Sequence, residues 1–134
     1  MYKFILLALL LISFKVYSSE DEALTIDKVV TSNFELSFPN DKNIKPQGSD
    51  FELINYVVMS NLIGERWAVL TLKNKSAGNR MLEKQHIMAL FADGSRGYPA
   101  EIKLNFEGKE TQSITVSFGE NKFPILSVQT STEI

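Results

Sequence analysis

The chain has 134 residues, with 14 basic and 16 acidic side chains, one histidine and no cysteine. Because cysteine is absent, a disulfide scaffold and a thiol nucleophile are both excluded. The slightly acidic formal net charge of −2 argues against nucleic acid as a partner. The length is that of one domain with a single core.

The first 18 residues have the layout of a secretory signal peptide. Lys3 precedes an apolar run at 4–14, and the small Ser18 suits cleavage directly after it. The run is too short to span a bilayer comfortably. The sequence therefore predicts export to the periplasm or the medium and a mature domain of residues 19–134 without stable membrane insertion. Cleavage removes two lysines and leaves 12 basic and 16 acidic residues, a net charge of −4.

Three stretches in the first half of the mature chain favour strands. Apolar residues recur at 24–30, alternate with polar ones at 34–38, and occupy both parities at 51–59. In the third stretch, β-branched and aromatic residues favour a strand over a short helix. Residues 40–49 are rich in Asn, Asp, Lys, Pro and Gly, so we expect the longest loop there, with the length of a binding loop.

We expect residues 67–72 to form the central strand. Trp67, Ala68, Val69 and Leu70 are apolar at adjacent positions, which is typical of a strand covered on both faces. Trp67 is the only tryptophan of the chain. The pattern predicts that its side chain is largely buried between two sheets.

Further strands are predicted in the second half of the chain. The first places Ile87, Ala89 and Phe91 on one face and Met88 and Leu90 on the other. The next alternates regularly and predicts a half-exposed strand. Turns that contain Gly, Asn or Asp separate these strands, which are expected at 87–91, 98–106, 114–118 and 123–128.

Seven to eight short strands and no amphipathic helix predict an all-β fold, an antiparallel β-sandwich, with a small barrel as the alternative. A resemblance points the same way. The runs at 70–76, 90–94, 97–99, 108–110 and 116–118 look like those of small exported bacterial immunoglobulin-like domains of unknown function. The resemblance implies an immunoglobulin-like β-sandwich and a periplasmic or secreted location. It carries over no catalytic residue.

His86 and Met88 are the candidate metal ligands. Together they offer an imidazole and a thioether, the soft ligands that suit Cu(I). A copper carrier would show several His and Met residues at set spacings, and this chain has a single histidine. We therefore interpret His86 as a strand histidine beside a core methionine, and we expect no metal and no cofactor.

Catalytic signatures are weak. His86 could serve a Ser-His-Asp triad, but the sequence contains no Gly-x-Ser-x-Gly elbow. The carboxylate pairs Glu107 with Glu110 and Asp50 with Glu52 fall in or beside expected turns. There we expect water to surround the carboxyl groups, whereas an acid–base role would need buried surroundings. The sequence predicts no catalytic residue and no enzyme activity.

Four basic residues are the candidate partner-binding group. Lys73, Lys75, Arg80 and Lys84 lie in or near one polar connection of an otherwise acidic chain. They could bind an acidic partner, a lipid headgroup or lipopolysaccharide, whereas a solvated loop needs no partner at all.

Two functions remain open. In the first, the protein is a non-enzymatic exported immunoglobulin-like module that binds another cell-envelope protein through a sheet edge or end loops. In the second, it is a periplasmic carrier of a small ligand or of copper. A deep pocket lined by aromatic residues would favour the carrier, and a solid core with an exposed edge strand would favour the module.

Overall fold

The computed structural model describes residues 20–30 and 44–132, which form antiparallel strands and two short 3-10 turns, Glu20–Glu22 and Lys84–His86. No helix in these ranges is long and apolar enough to cross a membrane. The predicted signal peptide, the strand at 34–38 and residues 40–43 of the predicted loop lie outside the described ranges. The strands are β1 (Thr25–Val30), β2 (Phe51–Ser60), β3 (Glu65–Asn74), β4 (Arg80–Glu83), β5 (Met88–Phe91), β6 (Arg96–Gly97), β7 (Lys103–Phe106), β8 (Thr111–Glu120) and β9 (Ile125–Gln129).

The strands form three antiparallel sheets, so the predicted all-β antiparallel architecture is confirmed. The largest sheet has four strands in the order β1-β2-β3-β8. A three-stranded sheet, β6-β5-β9, and a two-stranded sheet, β4-β7, make up the rest. Side chains from all three sheets share one hydrophobic core, as expected of a two-layer sandwich.

The core consists of inward-facing residues from both layers. Phe51 of β2 and Phe106 of β7 are almost completely buried, and their rings meet edge to face with centroids 5.0 Å apart. Leu70 and Leu72 of β3 and Leu82 of β4 are also fully buried. These residues join the four-stranded sheet to the strands of the second layer.

A bulge in β2 explains why its apolar residues occupy both parities. The register with β3 shifts between Leu53 and Asn55, so one extra residue, Ile54, is accommodated there. Phe51 faces the core before the bulge, and Tyr56 faces it after the bulge. The double parity therefore reflects a switch of phase along the strand.

The prediction that residues 67–72 are covered on both faces is wrong. The side chains of β3 alternate strictly, with Ala68, Leu70 and Leu72 buried and Trp67 and Val69 only half-buried. Trp67 thus lies on the sheet face that is turned away from the core. The strand is central in its sheet because β2 and β8 both pair with it.

The strand that is covered on both faces is β5. All four of its residues are buried, and they split between the two faces as the alternation predicts. Three contacts join the segment 44–49 to this part of the fold: the Arg96 guanidinium donates to the Ile44 carbonyl, the backbone N–H of Gln47 donates to the Gln85 carbonyl, and Gly48 bridges Ser131. This part of the predicted binding loop is therefore packed on the domain.

The strand predicted at 98–106 is shorter in the structure. Only Lys103–Phe106 pair, as β7. Upstream, Tyr98 is exposed and Pro99 is buried. The alternation of the sequence predicts the opposite, with Tyr98 on the apolar face and Pro99 on the polar one. Because proline has no amide hydrogen, it interrupts a strand at this point. The partner of β7 is β4, a strand that the sequence pattern did not predict.

Asn74 holds two turns together at the end of β3. Its side chain is completely buried, and the amide nitrogen donates to the carbonyls of Gly78, Phe106 and Glu107 at 2.9, 3.4 and 3.0 Å. The amide oxygen accepts from the backbone N–H of Ser76 at 3.0 Å. Asn74 begins an Asn-x-Ser sequon, and its burial removes it from any glycan-transferring enzyme once the chain is folded.

Candidate interaction surface

The outer face of the four-stranded sheet, the face turned away from the core, carries two cross-strand rows of apolar side chains. In the first row, Ile26 of β1 lies opposite Met59 of β2, which lies opposite Trp67 of β3. The row ends at Ser117 of β8. Ile26 is 66 % exposed, and Met59 and Trp67 are half-buried.

The second row lies beside the first and repeats its chemistry. Val29 of β1, Val57 of β2 and Val69 of β3 are direct neighbours, and Thr115 of β8 ends the row. Val29 is 58 % exposed. Together the two rows form an apolar strip across three strands, bordered on β8 by hydroxyl groups.

A row of polar residues also borders the strip next to its second apolar row. The next row contains Asn55, Thr71 and Ser113, and the hydroxyl groups of Thr71 and Ser113 are hydrogen-bonded at 2.8 Å. An apolar centre within a polar border is the usual organisation of a protein-binding surface.

The indole of Trp67 has a defined orientation. Its Nε1 donates to Oε2 of Glu65 at 3.3 Å, and Oε1 of Glu65 accepts from the side-chain amide of Asn61 at 3.1 Å. Asn61 in turn accepts from the backbone N–H of Glu65 at 3.0 Å. This chain of bonds directs the indole N–H toward the β2–β3 hairpin and leaves the ring within the apolar row.

More exposed apolar residues lie at the hairpin end of the sheet. Leu62 and Ile63 form the hairpin tip and are 81 % and 44 % exposed. The Leu62 N–H donates to the carbonyl of Asp21 at 3.0 Å, which places the start of the described chain beside the tip. The β8–β9 turn is adjacent, because Asn121 N–H donates to the Gly64 carbonyl at 3.0 Å. We call Leu24, Leu62, Ile63 and Phe123, all exposed, the apolar end.

The candidate metal ligands His86 and Met88 lie in different elements, and Met88 is buried in β5. His86 belongs to a 3-10 turn rather than a strand, and its Nδ1 accepts from the backbone N–H of Glu83 at 3.0 Å. Its ring lies against Phe51, with centroids 5.6 Å apart, and burial lowers the pKa of the imidazole, partly opposed by the Glu83 carboxylate. In the described ranges, no group of three or more His, Cys, Asp or Glu residues is arranged to hold a metal ion.

The four basic residues do not form one patch of free charge. Arg80 and Lys84 flank β4 at opposite ends, and each has an acidic partner: Arg80 pairs with Asp50 at 2.8 Å and Lys84 with Glu101 at 3.1 Å. Lys73 lies on the outer face of β3, opposite Glu52. Lys75 is exposed in the turn that follows. Their role in partner binding stays a prediction.

One carboxylate of each candidate pair has a partner in the structure. Glu110 accepts from the backbone N–H of Glu107 at 3.1 Å and from the side chain of Gln112 at 2.6 Å, and Asp50 is the partner of Arg80. Glu52 lies in β2 and Glu107 in the turn after β7, and both are exposed.

The sequence pattern singled out Trp67 but assigned it to the core, and it missed the exposed residues around it. A usable signal was present. Leu62 and Ile63 interrupt a turn that otherwise consists of Asn61 and Gly64, and a turn seldom carries two large apolar residues unless they contact something.

Comparison with known protein families, with curated proteins and with solved structures finds no match to this chain, so the interaction surface is interpreted from its own chemistry.

Proposed function

We propose that this protein is an exported, non-enzymatic immunoglobulin-like module that binds another protein of the cell envelope through the outer face of its four-stranded sheet. The observation that supports this most directly is the pair of apolar rows, one of which contains Trp67. Ile26 and Val29 are more than half exposed on this face. Polar residues would serve as well at both positions if the face contacted only water.

The physical basis is burial of apolar area. Covering such a surface contributes about 25 cal/mol for each Å² of apolar area removed from water. A half-buried tryptophan that is already oriented by Glu65 loses little conformational freedom on binding. Tryptophan is also among the residue types most often responsible for binding energy in interfaces.

The exported location rests on the layout of residues 1–18, and the immunoglobulin-like description rests on the resemblance and the sandwich architecture. Within the described ranges, β1, β2, β3 and β8 share one sheet, β6, β5 and β9 a second, and β4 and β7 a third.

The proposal that the protein is not an enzyme is supported by the hydrogen bonds of the side chains that could act as an acid or a base. His86 uses Nδ1 for a backbone contact, and Glu110 and Asp50 are held by neighbouring side chains. None of these groups faces the apolar rows on the outer sheet face.

Capture from envelope extract of the source cell, followed by mass spectrometry, tests the proposal. Immobilised wild-type protein should retain a defined partner. Val69→Lys, which places a charge in the second apolar row, should lose it. Met81→Lys is the matched control, because Met81 is 46 % exposed on β4 and lies outside both rows. Equal retention by the wild type and both variants would refute binding through this face.

A further inference from the structure

The hairpin end of the outer face is acidic. Glu65 of β3 and Glu120 of β8 are directly opposite each other in neighbouring strands. A bulge makes this possible, because the register shifts between Glu65 and Trp67 and Gly119 has a φ of +74°. Directly opposite positions of neighbouring strands lie close together, so this end of the sheet carries two acidic side chains side by side.

Further acidic groups surround the same end. Asp27 on β1 accepts from the hydroxyl of Ser60 at 2.8 Å, and Asp21 and Glu22 are exposed beside the hairpin tip. In the described ranges, no ion pair is formed by Asp27, Glu65 or Glu120.

Of the three nearby basic residues, Arg66 and Lys28 have other partners. Arg66 donates to the backbone carbonyls of Asn121 and Lys122. Lys28 lies opposite Val58, on the core side of β1, and has other interactions. Lys122 lies in the β8–β9 turn, outside the apolar rows. The outer face at this end is thus apolar with an acidic border.

We infer that the partner presents a cationic and apolar segment, whose apolar side chains cover Met59, Trp67 and Leu62 and whose lysine or arginine side chains bind Glu65 and Glu120. The inference rests on the proposed function and specifies the chemistry of the partner. A lysine or arginine side chain that reaches this pair of positions gains a charge-assisted hydrogen bond to each carboxylate. The acidic border also favours rapid encounter with a positively charged partner.

The same chemistry explains why a protein is favoured over a bacterial lipid surface. Anionic headgroups would meet Glu65 and Glu120, and like charges oppose that contact. A basic apolar segment satisfies both the apolar end and its acidic border.

Trp67 provides the readout, because it is the only tryptophan and it lies in the first apolar row. The probes are three twelve-residue peptides of alternating Leu and Lys, alternating Leu and Glu, and alternating Ser and Lys. The Leu–Lys peptide should shift the Trp67 emission to the blue and saturate, and raising the NaCl concentration from 50 to 500 mM should weaken its binding about tenfold or more. The other two peptides should give no saturable shift.

Two double variants, each of which removes two negative charges, test whether the peptide binds at Glu65 and Glu120. Glu65→Gln with Glu120→Gln should weaken binding of the Leu–Lys peptide about tenfold. Asp93→Asn with Glu107→Gln, both exposed in turns outside the four-stranded sheet, should leave it unchanged. Equal effects of the two pairs, or equal binding of the Leu–Lys and Leu–Glu peptides, would refute the cationic partner. The proposed function would survive that result if Val69→Lys still abolished capture of the partner.

Two other occupants are separate outcomes that would overturn the inference. An emission shift with vesicles of phosphatidylcholine and phosphatidylglycerol, in the absence of a peptide shift, would identify a membrane as the occupant. Binding of the Leu–Lys peptide only after residues 1–18 have been removed would identify that basic, apolar segment of the chain itself as the occupant. Absence of a shift with every probe would also refute the inference.

Discussion

Gly108 lies so close to Ala77 that a methyl group on Gly108 would be 2.1 Å from the Ala77 carbonyl oxygen. The contact joins the β3–β4 connection to the β7–β8 turn. Lys109, with a φ of +64°, donates its backbone N–H to the Ser76 carbonyl at 2.9 Å in the same place, and its Nζ donates to the Lys75 carbonyl. The two connections are therefore in direct backbone contact.

Gly108→Ala should destabilise the protein by about 3 kcal/mol, because the methyl group forces two backbone segments apart. Gly119→Ala is the comparison. It has no atom within 4 Å of the added methyl group, but the left-handed φ of +74° costs about 1–2 kcal/mol. Urea unfolding of both variants measures the difference, and a Gly108→Ala variant as stable as wild type would contradict the close contact.

Asn74→Ala should cost about 1–3 kcal/mol for each buried carbonyl that it leaves without a donor. Asn74→Asp should be at least as damaging, because it places a carboxylate against the carbonyls of Gly78 and Glu107. Asn55→Ala, at an exposed position of β2, should change stability by about 0.5 kcal/mol or less. Chemical denaturation compares the three, and a small effect at Asn74 would show that its bonds are dispensable.

Stability should fall as the pH decreases below about 6.5, in part because of His86. Burial lowers the pKa of the folded imidazole, so the unfolded chain binds more protons between the folded pKa and the ordinary value. Protonation also removes the Nδ1 lone pair that accepts from Glu83. His86→Gln should reduce the loss of melting temperature between pH 8 and pH 5. The lowered pKa of Asp93 acts only below about pH 4, outside this range. Identical pH profiles would refute the linkage.

Trp67→Ala should cost only about 1–2 kcal/mol, because the side chain is half-buried on the outer face. Phe106→Ala, which removes a fully buried ring, should cost about 3–5 kcal/mol. Native fluorescence should show an indole that is partly accessible to a quencher such as acrylamide. A fully protected indole, together with unfolding of Trp67→Ala, would place Trp67 in the core after all.

Export predicts a mature protein that begins near residue 19. Intact-mass measurement on protein recovered from the periplasm or the medium should show loss of residues 1–18. Recovery of the full chain from either compartment would contradict cleavage.

The sequence alone determined where most strands lie and how their side chains alternate. The alternation of β5 is correct residue by residue, and the positions of β1, β3, β8 and β9 follow from period-two patterns bounded by turn residues. These features are local, because a strand places successive side chains on opposite faces whatever lies above it.

Only the tertiary structure decided which faces are covered. An apolar run such as Trp67-Ala68-Val69-Leu70 has the same pattern whether a second layer or a binding partner covers its outer face. The bulge at Ile54 changes which residues of β2 face the core, and the composition gives no signal of it. The juxtaposition of Gly108 with Ala77 and of Glu65 with Glu120 depends on strands that are far apart in sequence. The core and the candidate interaction surface were therefore distinguished by the packing of the layers, because period-two alternation specifies a side but not what lies on it.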